Sequence, residues 1–260
     1  QMSDKVTDKA MTGVGIVYKF CKVLDTYYNV NYADDYLDLV VLGMIADSAD
    51  LRNLQSRYLV NKGVDLIKND ENKNKFITEL IKSQAYSMNN KVTIIGIAFY
   101  IAPLINSLIR IGTQEDKIAM FKAFINSDEI IHTKIRGQGE VDISIQDYVK
   151  RLCESSRRKQ KKIVDENVTQ MSEQIKKFNL DKLAILVCNA SDTIDKNYTG
   201  LIANKLSSIY QRPCLLLRKT KDNFSGSGRG FDKSEIKDFN KWCIETGLFS
   251  SAYCFSNIAY

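Results

Sequence analysis

The sequence is short of the residues on which several classes of catalytic and metal site depend. Its 260 residues include one histidine, His132, 2 prolines and 6 cysteines that form no C-x-x-C pair. A single histidine excludes a histidine-rich metal cluster within this chain, and any Ser-His-Asp or Cys-His chemistry would have to run through His132. The scattered cysteines exclude zinc-ribbon and thioredoxin-like sites and predict the reduced thiols of a cytoplasmic protein. We interpret His132 as structural.

Long apolar runs and targeting signals are also missing. The longest uncharged apolar stretch, residues 92–109, is interrupted by Gly96, Pro103 and Asn106. A membrane-spanning helix needs about 20 predominantly apolar residues, so we predict a buried helix and no membrane association. Residues 1–9 are polar and lack the apolar core of a signal peptide. The composition, 44% hydrophobic and 26% charged, is that of a folded protein, and the net charge of +6 mildly favours a polyanionic partner.

Hydrophobic periodicity predicts that the first two-thirds of the chain is helical. The predicted helices cover residues 14–24, 36–42, 51–67, 71–88, 93–109 and 113–124, with Asp34 and Asp35 capping the second and Asp50 the third. The periodicity is lost over 127–141, which is predicted to be a loop. Residues 144–178 contain no Gly or Pro and predict one connecting helix of roughly 35 residues, about 50 Å long.

The pattern changes after residue 179. An apolar run at 183–188, a helical segment at 199–210 and a second apolar run at 213–218 predict a strand–helix–strand unit. The glycine-rich segment 225–230 is predicted to be a loop before a helix at 233–246. We therefore predict an α/β protein with a helical lobe, a long connector helix and a small α/β lobe.

Four segments match one protein family in order and spacing. They are LDLVVLGMIAD at 37–47, IAPLINSLIR at 101–110, TGLIANKL at 199–206 with QRP at 211–213, and GSGRG at 226–230. Together they resemble the RecJ-like single-strand-specific exonucleases of the DHH phosphoesterase superfamily, most closely the short form found in bacterial prophages. The resemblance implies a mostly helical C-terminal part of a DHH domain at 1–143, a connector helix at 144–178 and a DHHA1-type α/β domain at 179–260.

The resemblance also implies a cofactor, because this superfamily uses two divalent ions, Mn²⁺ or Mg²⁺. Their ligands are an Asp-x-Asp motif, a further Asp and an Asp-His-His motif. Asp47 matches the further Asp, and the other motifs belong upstream of the first residue of this chain. Phe255 stands where the family has a histidine, and Leu104 replaces a family arginine. The resemblance therefore implies a member that is truncated at its N-terminus, divergent at its C-terminus and inactive as an isolated fragment.

Most of the other candidate residues have the chemistry of phosphate binding. Arg229, which follows Gly226, Ser227 and Gly228, can present a bidentate guanidinium beside an accessible backbone. Thr199 and Gly200, at a helix start, can offer free N–H groups to an anion. The alternatives are a solvated turn around Arg229 and an ordinary helix cap at Thr199 and Gly200.

Three further sequence features each allow a functional and a structural interpretation. Asn106 and Arg110 lie four residues apart on one helical face and indicate a pair directed into a binding cleft, although Arg110 can simply end its helix. Asp47 is also typical of a helix cap. The basic run 157–162 is either a DNA-backbone contact or, as we interpret it, the solvated face of a helix.

These features favour a metal-dependent exonuclease that degrades single-stranded DNA from 5′ to 3′ in the bacterial cytoplasm, encoded by a bacterium or a phage. Two alternatives stay open. One is a catalytically silent nucleic-acid-binding or scaffold protein of the same fold. The other is a phosphodiesterase for short oligonucleotides or cyclic dinucleotides.

Overall fold

The structure is a computed structural model that describes residues 11–71, 73–190, 194–219, 221 and 223–252. It divides into two compact units, the first ending at Arg157 and the second beginning at Arg158. The architecture is α/β and mostly helical, as the sequence predicts, and the described residues contain two small sheets.

The first unit is a cluster of helices with one hairpin. Its elements are α1 (Gly13–Tyr28), α2 (Leu37–Ala46), α3 (Leu54–Lys68), α4 (Lys75–Gln84), α5 (Ile94–Gly96), α6 (Ala102–Ile111), α7 (Gln114–Phe124), β1 (Ile130–Ile135) and β2 (Gly139–Ser144). It also holds the first part of α8 (Ile145–Lys177), a single 33-residue helix that confirms the long helix predicted at 144–178. The division between the two units falls within α8.

The central element of the first unit is α2, which is apolar on nearly every side and buried along most of its length. The predicted caps of α2 and α3 are wrong. Asp34 and Asp35 lie in a 3₁₀ turn before α2 and do not cap it. α3 starts later than predicted, so Asn53 caps it by accepting hydrogen bonds from two N–H groups of the first turn, while Asp50 pairs with Arg52.

The predicted buried helix at 93–109 is a continuous helix over Ile94–Ile111 with a π-helical segment at Ile97–Ile101. It is buried on one face only: Ile97 and Leu108 pack in the core, whereas Ile95 and Phe99 are exposed. By length and composition this helix is apolar enough to cross a membrane. Its buried face instead contributes to the core of the first unit.

The predicted loop at 127–141 is wrong in part. Residues 130–144 form an antiparallel hairpin with Ile130 opposite Ser144, and the loop is limited to 127–129 and to the turn of the hairpin at 136–138. Side chains on β1 alternate between exposed and half-buried, a two-residue period that a search for helical periodicity does not detect. His132 is exposed on this hairpin, and its Nδ1 lies 2.8 Å from Asp142 Oδ1.

The second unit is a three-stranded sheet in the order β3–β4–β5, with helices on its two faces. Its elements after α8 are β3 (Leu186–Asn189), α9 (Thr199–Tyr210), β4 (Cys214–Lys219), β5 (Phe224–Arg229) and α10 (Phe239–Glu245). β3 and β4 are parallel and are joined through α9, which confirms the predicted strand–helix–strand unit. The C-terminal part of α8 packs with α9 over one face, and α10 covers the other.

The glycine-rich segment is a strand rather than the predicted loop. β5 pairs antiparallel with β4 over its whole length, with Cys214 opposite Arg229. The helix predicted at 233–246 is confined to α10, which Asp238 caps. Glycine normally weakens strands, so its use here points to a close approach of neighbouring atoms.

A hydrogen bond between α1 and the 3₁₀ turn before α2 provides a test of pH dependence. The hydroxyl of Tyr18 donates to Asp34 Oδ1 at 2.6 Å. This hydrogen bond lowers the pKa of Asp34 below its usual value of 3.8. Burial raises the pKa, and the charges of Lys62 and Lys22 lower it further. The ionised carboxylate of Asp34 therefore stabilises the folded protein at pH values above the pKa that Asp34 has in the unfolded chain. This stabilisation is lost as the pH falls through the lower pKa that Asp34 has in the folded protein.

We expect Tyr18→Phe to lower the free energy of unfolding at neutral pH by about 1 kcal/mol and to lower it less below pH 3.8. Urea denaturation at neutral and acidic pH measures the difference. Tyr86→Phe, at a side chain that is 92% exposed, is the control. An equal loss from Tyr18→Phe at both pH values would contradict this prediction.

Candidate functional site

The first unit holds three of the predicted site residues. Asp47 follows the last residue of α2, its backbone N–H donates to the Gly43 carbonyl at 3.0 Å, and its side chain is exposed. Ser48 then turns into the left-handed region with φ 53°. Asp47 therefore occupies the C-cap position of α2, which agrees with the cap reading and leaves its carboxylate accessible.

Asn106 and Arg110 lie one turn apart on α6, which packs against α2. Asn106 is half-buried and Arg110 is exposed, whereas the neighbouring Leu104 and Leu108 are buried in the core. Residues four apart on a helix are neighbours, so the pair lies beside the buried face of α6, and its direction into a binding cleft stays a prediction. Ser107 on the buried face donates to the Leu104 carbonyl and contacts the Cys153 carbonyl of α8, so it has a packing role.

The second unit brings its predicted residues together at the start of α9. Thr199 is the first residue of that helix and is 4% exposed. The N-cap residue, Tyr198, makes no side-chain capping bond. The first N–H groups of an α-helix have no acceptor within the helix, and the helix dipole gives this end a partial positive charge. The start of α9 therefore has the properties of an anion site.

Arg229 on β5 places its guanidinium against this helix start. A Cβ atom on Gly200 would lie 3.0 Å from Arg229 Nη2 and 3.6 Å from Ser227 Oγ. Nη1 of Arg229 donates to the Gly228 carbonyl at 2.6 Å. Ser227 Oγ lies 2.9 Å from Thr199 Oγ1. Gly200 is thus the residue that lets the guanidinium reach the end of α9, and these side chains and backbone groups form one polar cluster.

The neighbour of Arg229 across the sheet is a thiol. Cys214 is paired in register with Arg229 and is fully buried. Its hydrogen bond with Cys188, followed by burial, raises the pKa of Cys214 far above its usual value. The Cys214 thiol therefore stays protonated at neutral pH.

The phosphate contact of Gly226 and Gly228 stays a prediction, and the structure shows a packing role for both. A Cβ on Gly226 would overlap the Leu216 carbonyl oxygen and lie 2.9 Å from the Leu217 Cα. A Cβ on Gly228 would meet only side chains, Leu215 at 3.1 Å and Phe239 at 3.4 Å. The packing of β5 against β4 and α10 therefore accounts for both glycines.

Sequence reasoning misses Ser207 in this cluster. Ser207 is buried on α9, and its Oγ donates to the Gly230 carbonyl at 3.0 Å. Thr199, Ala203 and Ser207 are spaced four residues apart and form a stripe of small side chains that is buried in the second unit. This spacing is a signal of close helix–sheet packing that the sequence contains.

The described part of the chain does not assemble a metal site by itself. It contains no group of three His, Cys, Asp or Glu side chains that could hold an ion. Asp47 alone cannot supply the several ligands that Mg²⁺ or Mn²⁺ require. Phe255 lies outside the described residues. In the basic run 157–162, Arg158, Lys159 and Lys161 are exposed on α8, which is consistent with a solvated face.

Comparison with known proteins identifies close relatives in sequence. An SPbeta prophage-derived protein of Bacillus subtilis strain 168, named as a single-strand DNA-specific exonuclease, is 41% identical over 254 residues, 96% of this chain. The protein of the same name from Bacillus phage SPbeta matches equally. The chain spans 43% of the length of these relatives. No family model matches the chain.

Solved structures agree on the fold. RecJ from Thermus thermophilus in complex with Mn²⁺ superposes with a TM-score of 0.63 at 19% identity, over 84% of this chain and 29% of RecJ. An exonuclease RecJ bound to manganese gives a TM-score of 0.59 at 18% identity, over 83% and 48% of the two chains. The resemblance to RecJ-like exonucleases is confirmed over the region that this chain spans.

Proposed function

We propose that this chain is part of a metal-dependent exonuclease that hydrolyses single-stranded DNA, and that its second unit binds a phosphate group of the substrate. Relatives named as single-strand DNA-specific exonucleases and the RecJ fold support the proposal. Digestion from 5′ to 3′ and a place in the bacterial or phage-infected cytoplasm belong to the same proposal. We further propose that residues 1–143 are the helical part of a DHH domain and that residues 179–260 are a DHHA1-like domain.

The observation that carries the proposal is the guanidinium of Arg229 packed over Gly200 at the uncapped start of α9. A phosphate oxygen there would accept from Arg229 and from backbone N–H groups at once, and such charge-assisted bonds are short and strong. The arrangement is therefore preformed for a phosphate or a similar anion.

In the first unit we propose Asp47 as a metal ligand, and Asn106 and Arg110 as substrate contacts. The carboxylate of Asp47 lies at the C-terminal, partially negative end of α2, where a negative charge is disfavoured. A bound cation would remove this repulsion. Structures of RecJ contain Mn²⁺ or Mg²⁺, and such ions supply an activated water and neutralise phosphate charge.

The described residues do not fit a two-metal centre on their own, so we assign them binding and orientation of the substrate and no hydrolytic step. The same observation favours the alternative of a catalytically silent protein that binds single-stranded nucleic acid. A phosphodiesterase for short oligonucleotides or cyclic dinucleotides would use the same phosphate site. Measuring affinity for dinucleotides beside long strands separates these substrate classes.

Replacing Arg229 tests the phosphate site. We expect Arg229→Ala to weaken binding of a fluorescein-labelled oligothymidylate roughly 10- to 100-fold, because it removes charged hydrogen bonds. The slope of log K against log[salt] should fall by about 0.7, the value for one phosphate contact on a single strand. Arg229→Lys, which keeps the charge without the planar fork, should bind with intermediate affinity.

The measurement is fluorescence anisotropy of the full chain over a range of salt concentrations. Arg57→Ala, at an exposed arginine on α3, is the matched control and should leave affinity within about twofold, as expected for an exposed surface charge. Equal affinities and salt slopes for Arg229→Ala and Arg57→Ala would refute the proposed site.

A further inference from the structure

Arg229 is flanked on β5 by two hydroxyl groups from α9. Before it, Ser227 bonds to Thr199 at the start of the helix, at 2.9 Å. After it, the Gly230 carbonyl accepts from Ser207 two turns further along the helix, at 3.0 Å. Thr199 and Ser207 are 4% and 3% exposed. The strand is thus tied to α9 on both sides of the residue that carries the guanidinium.

The direction of the Thr199–Ser227 hydrogen bond follows because each hydroxyl has only one proton to donate. Thr199 Oγ1 lies 3.0 Å from the Lys196 carbonyl, which can only accept, so the Thr199 proton is donated there. Ser227 must then donate its own proton to Thr199 Oγ1. The result is a chain of two hydrogen bonds that runs from β5 through the first residue of α9 to the turn before that helix.

These bonds fix the position of β5 relative to α9 on both sides of Arg229. Burial strengthens the hydroxyl bonds, because water does not compete for buried donors and acceptors. They hold β5 beside α9 and thereby reduce the number of positions that the guanidinium can adopt before a ligand arrives.

We propose that Thr199, Ser227 and Ser207 are positioning residues that preorganise Arg229 for a substrate phosphate. This inference rests on the proposed function of the same site. The hydroxyls act through Arg229 and do not contact the substrate themselves. Preorganisation raises affinity because the ordering of Arg229 is complete before binding.

The test uses Thr199→Val, which replaces the hydroxyl by a methyl group of similar size. We expect oligothymidylate affinity to fall about fivefold, the effect of one lost hydrogen bond. Because Arg229 still contacts the phosphate, the salt slope should stay at the value of the unchanged chain. Thr199→Ser keeps the hydroxyl and should restore the affinity, and Ser208→Ala, at an exposed serine of α9, is the matched control.

A double-mutant cycle separates positioning from direct contact. In an Arg229→Ala background, Thr199→Val should cause no further loss, because the residue through which it acts is gone. An additional fivefold loss would instead assign Thr199 to direct contact and overturn the proposal, since about fivefold is the effect of one hydrogen bond. Urea denaturation of each variant identifies a loss that comes from unfolding, and Ser227→Ala repeats the test at a less buried position.

The two proposals fail in different ways. Unchanged binding in Arg229→Ala overturns the proposed phosphate site and this inference with it. Weakened binding in Arg229→Ala together with unchanged binding in Thr199→Val overturns only the positioning role. A Thr199→Ser variant as weak as Thr199→Val also contradicts it, since the hydroxyl would then not be the active group.

Discussion

Asp47→Asn is expected to lower the rate of single-strand hydrolysis roughly 10²- to 10³-fold in a fusion that joins this chain to the part of its Bacillus subtilis relative outside the alignment. The carboxylate would be a ligand to a divalent ion, and such an ion contributes several kcal/mol to the barrier, about a factor of ten for each 1.4 kcal/mol. Asparagine has the same shape but no charge, so the effect isolates ligation. The rate is measured with 5′-labelled strands in Mn²⁺.

Asp50→Asn is the control for this experiment, because Asp50 is close to Asp47 in the chain and its carboxylate is paired with Arg52 at 2.8 Å. We expect it to keep most of the activity. The chain without the fusion should bind strands and not hydrolyse them. Equal activity of the two variants would remove Asp47 from the metal site, and a fusion that binds but never hydrolyses would favour the catalytically silent alternative.

Gly226→Ala should destabilise the second unit by about 3 kcal/mol or more, the upper range for overpacking. The added Cβ would overlap the carbonyl oxygen of Leu216 and approach the Leu217 Cα to 2.9 Å. These are backbone atoms of β4 and cannot rotate away, so the two strands must separate. Because β5 carries Arg229, affinity for oligothymidylate should fall as well.

Gly228→Ala provides the matched comparison on the same strand. Its Cβ would meet the ends of the Leu215 and Phe239 side chains at 3.1 and 3.4 Å, which can shift. We expect a loss of about 1 kcal/mol, at the lower end of the overpacking range. Urea denaturation and anisotropy are measured on both variants. If Gly226→Ala were as stable as Gly228→Ala and lost only affinity, a direct phosphate contact at Gly226 would be the better explanation.

The parts of the fold that sequence reasoning predicts are those with a strong local signal. The long helix α8 is evident from a run without Gly or Pro, and the β3–α9–β4 unit from two apolar runs on either side of a helical period. The errors lie where the signal depends on distant atoms. Strand β1 alternates between exposed and half-buried side chains with a period of two, and β5 is rich in glycine and serine, which usually mark a loop.

The candidate site shows the same limit. Motif resemblance predicts that Thr199, Gly200, Ser227 and Arg229 share one function, whereas the contacts of each residue follow from its neighbours in space. The motif groups Gly226 and Gly228 with them, whereas the contacts across the sheet assign both to packing. Ser207 escapes recognition, because its spacing with Thr199 and Ala203 signals helix–sheet packing and does not reveal its hydrogen bond to the strand that carries Arg229.

Helices and strands can be inferred from the order of residues because hydrophobic periodicity is a property of neighbours along the chain. The single histidine and the scattered cysteines likewise exclude whole classes of site without any structure. The contact of Arg229 with Gly200, the hydroxyl chain through Thr199 and the packing of Gly226 against β4 depend on segments far apart in sequence. These contacts form because α9 and β5 pack closely against each other. Close packing depends on the side chains of the whole core, and not on neighbours along the chain.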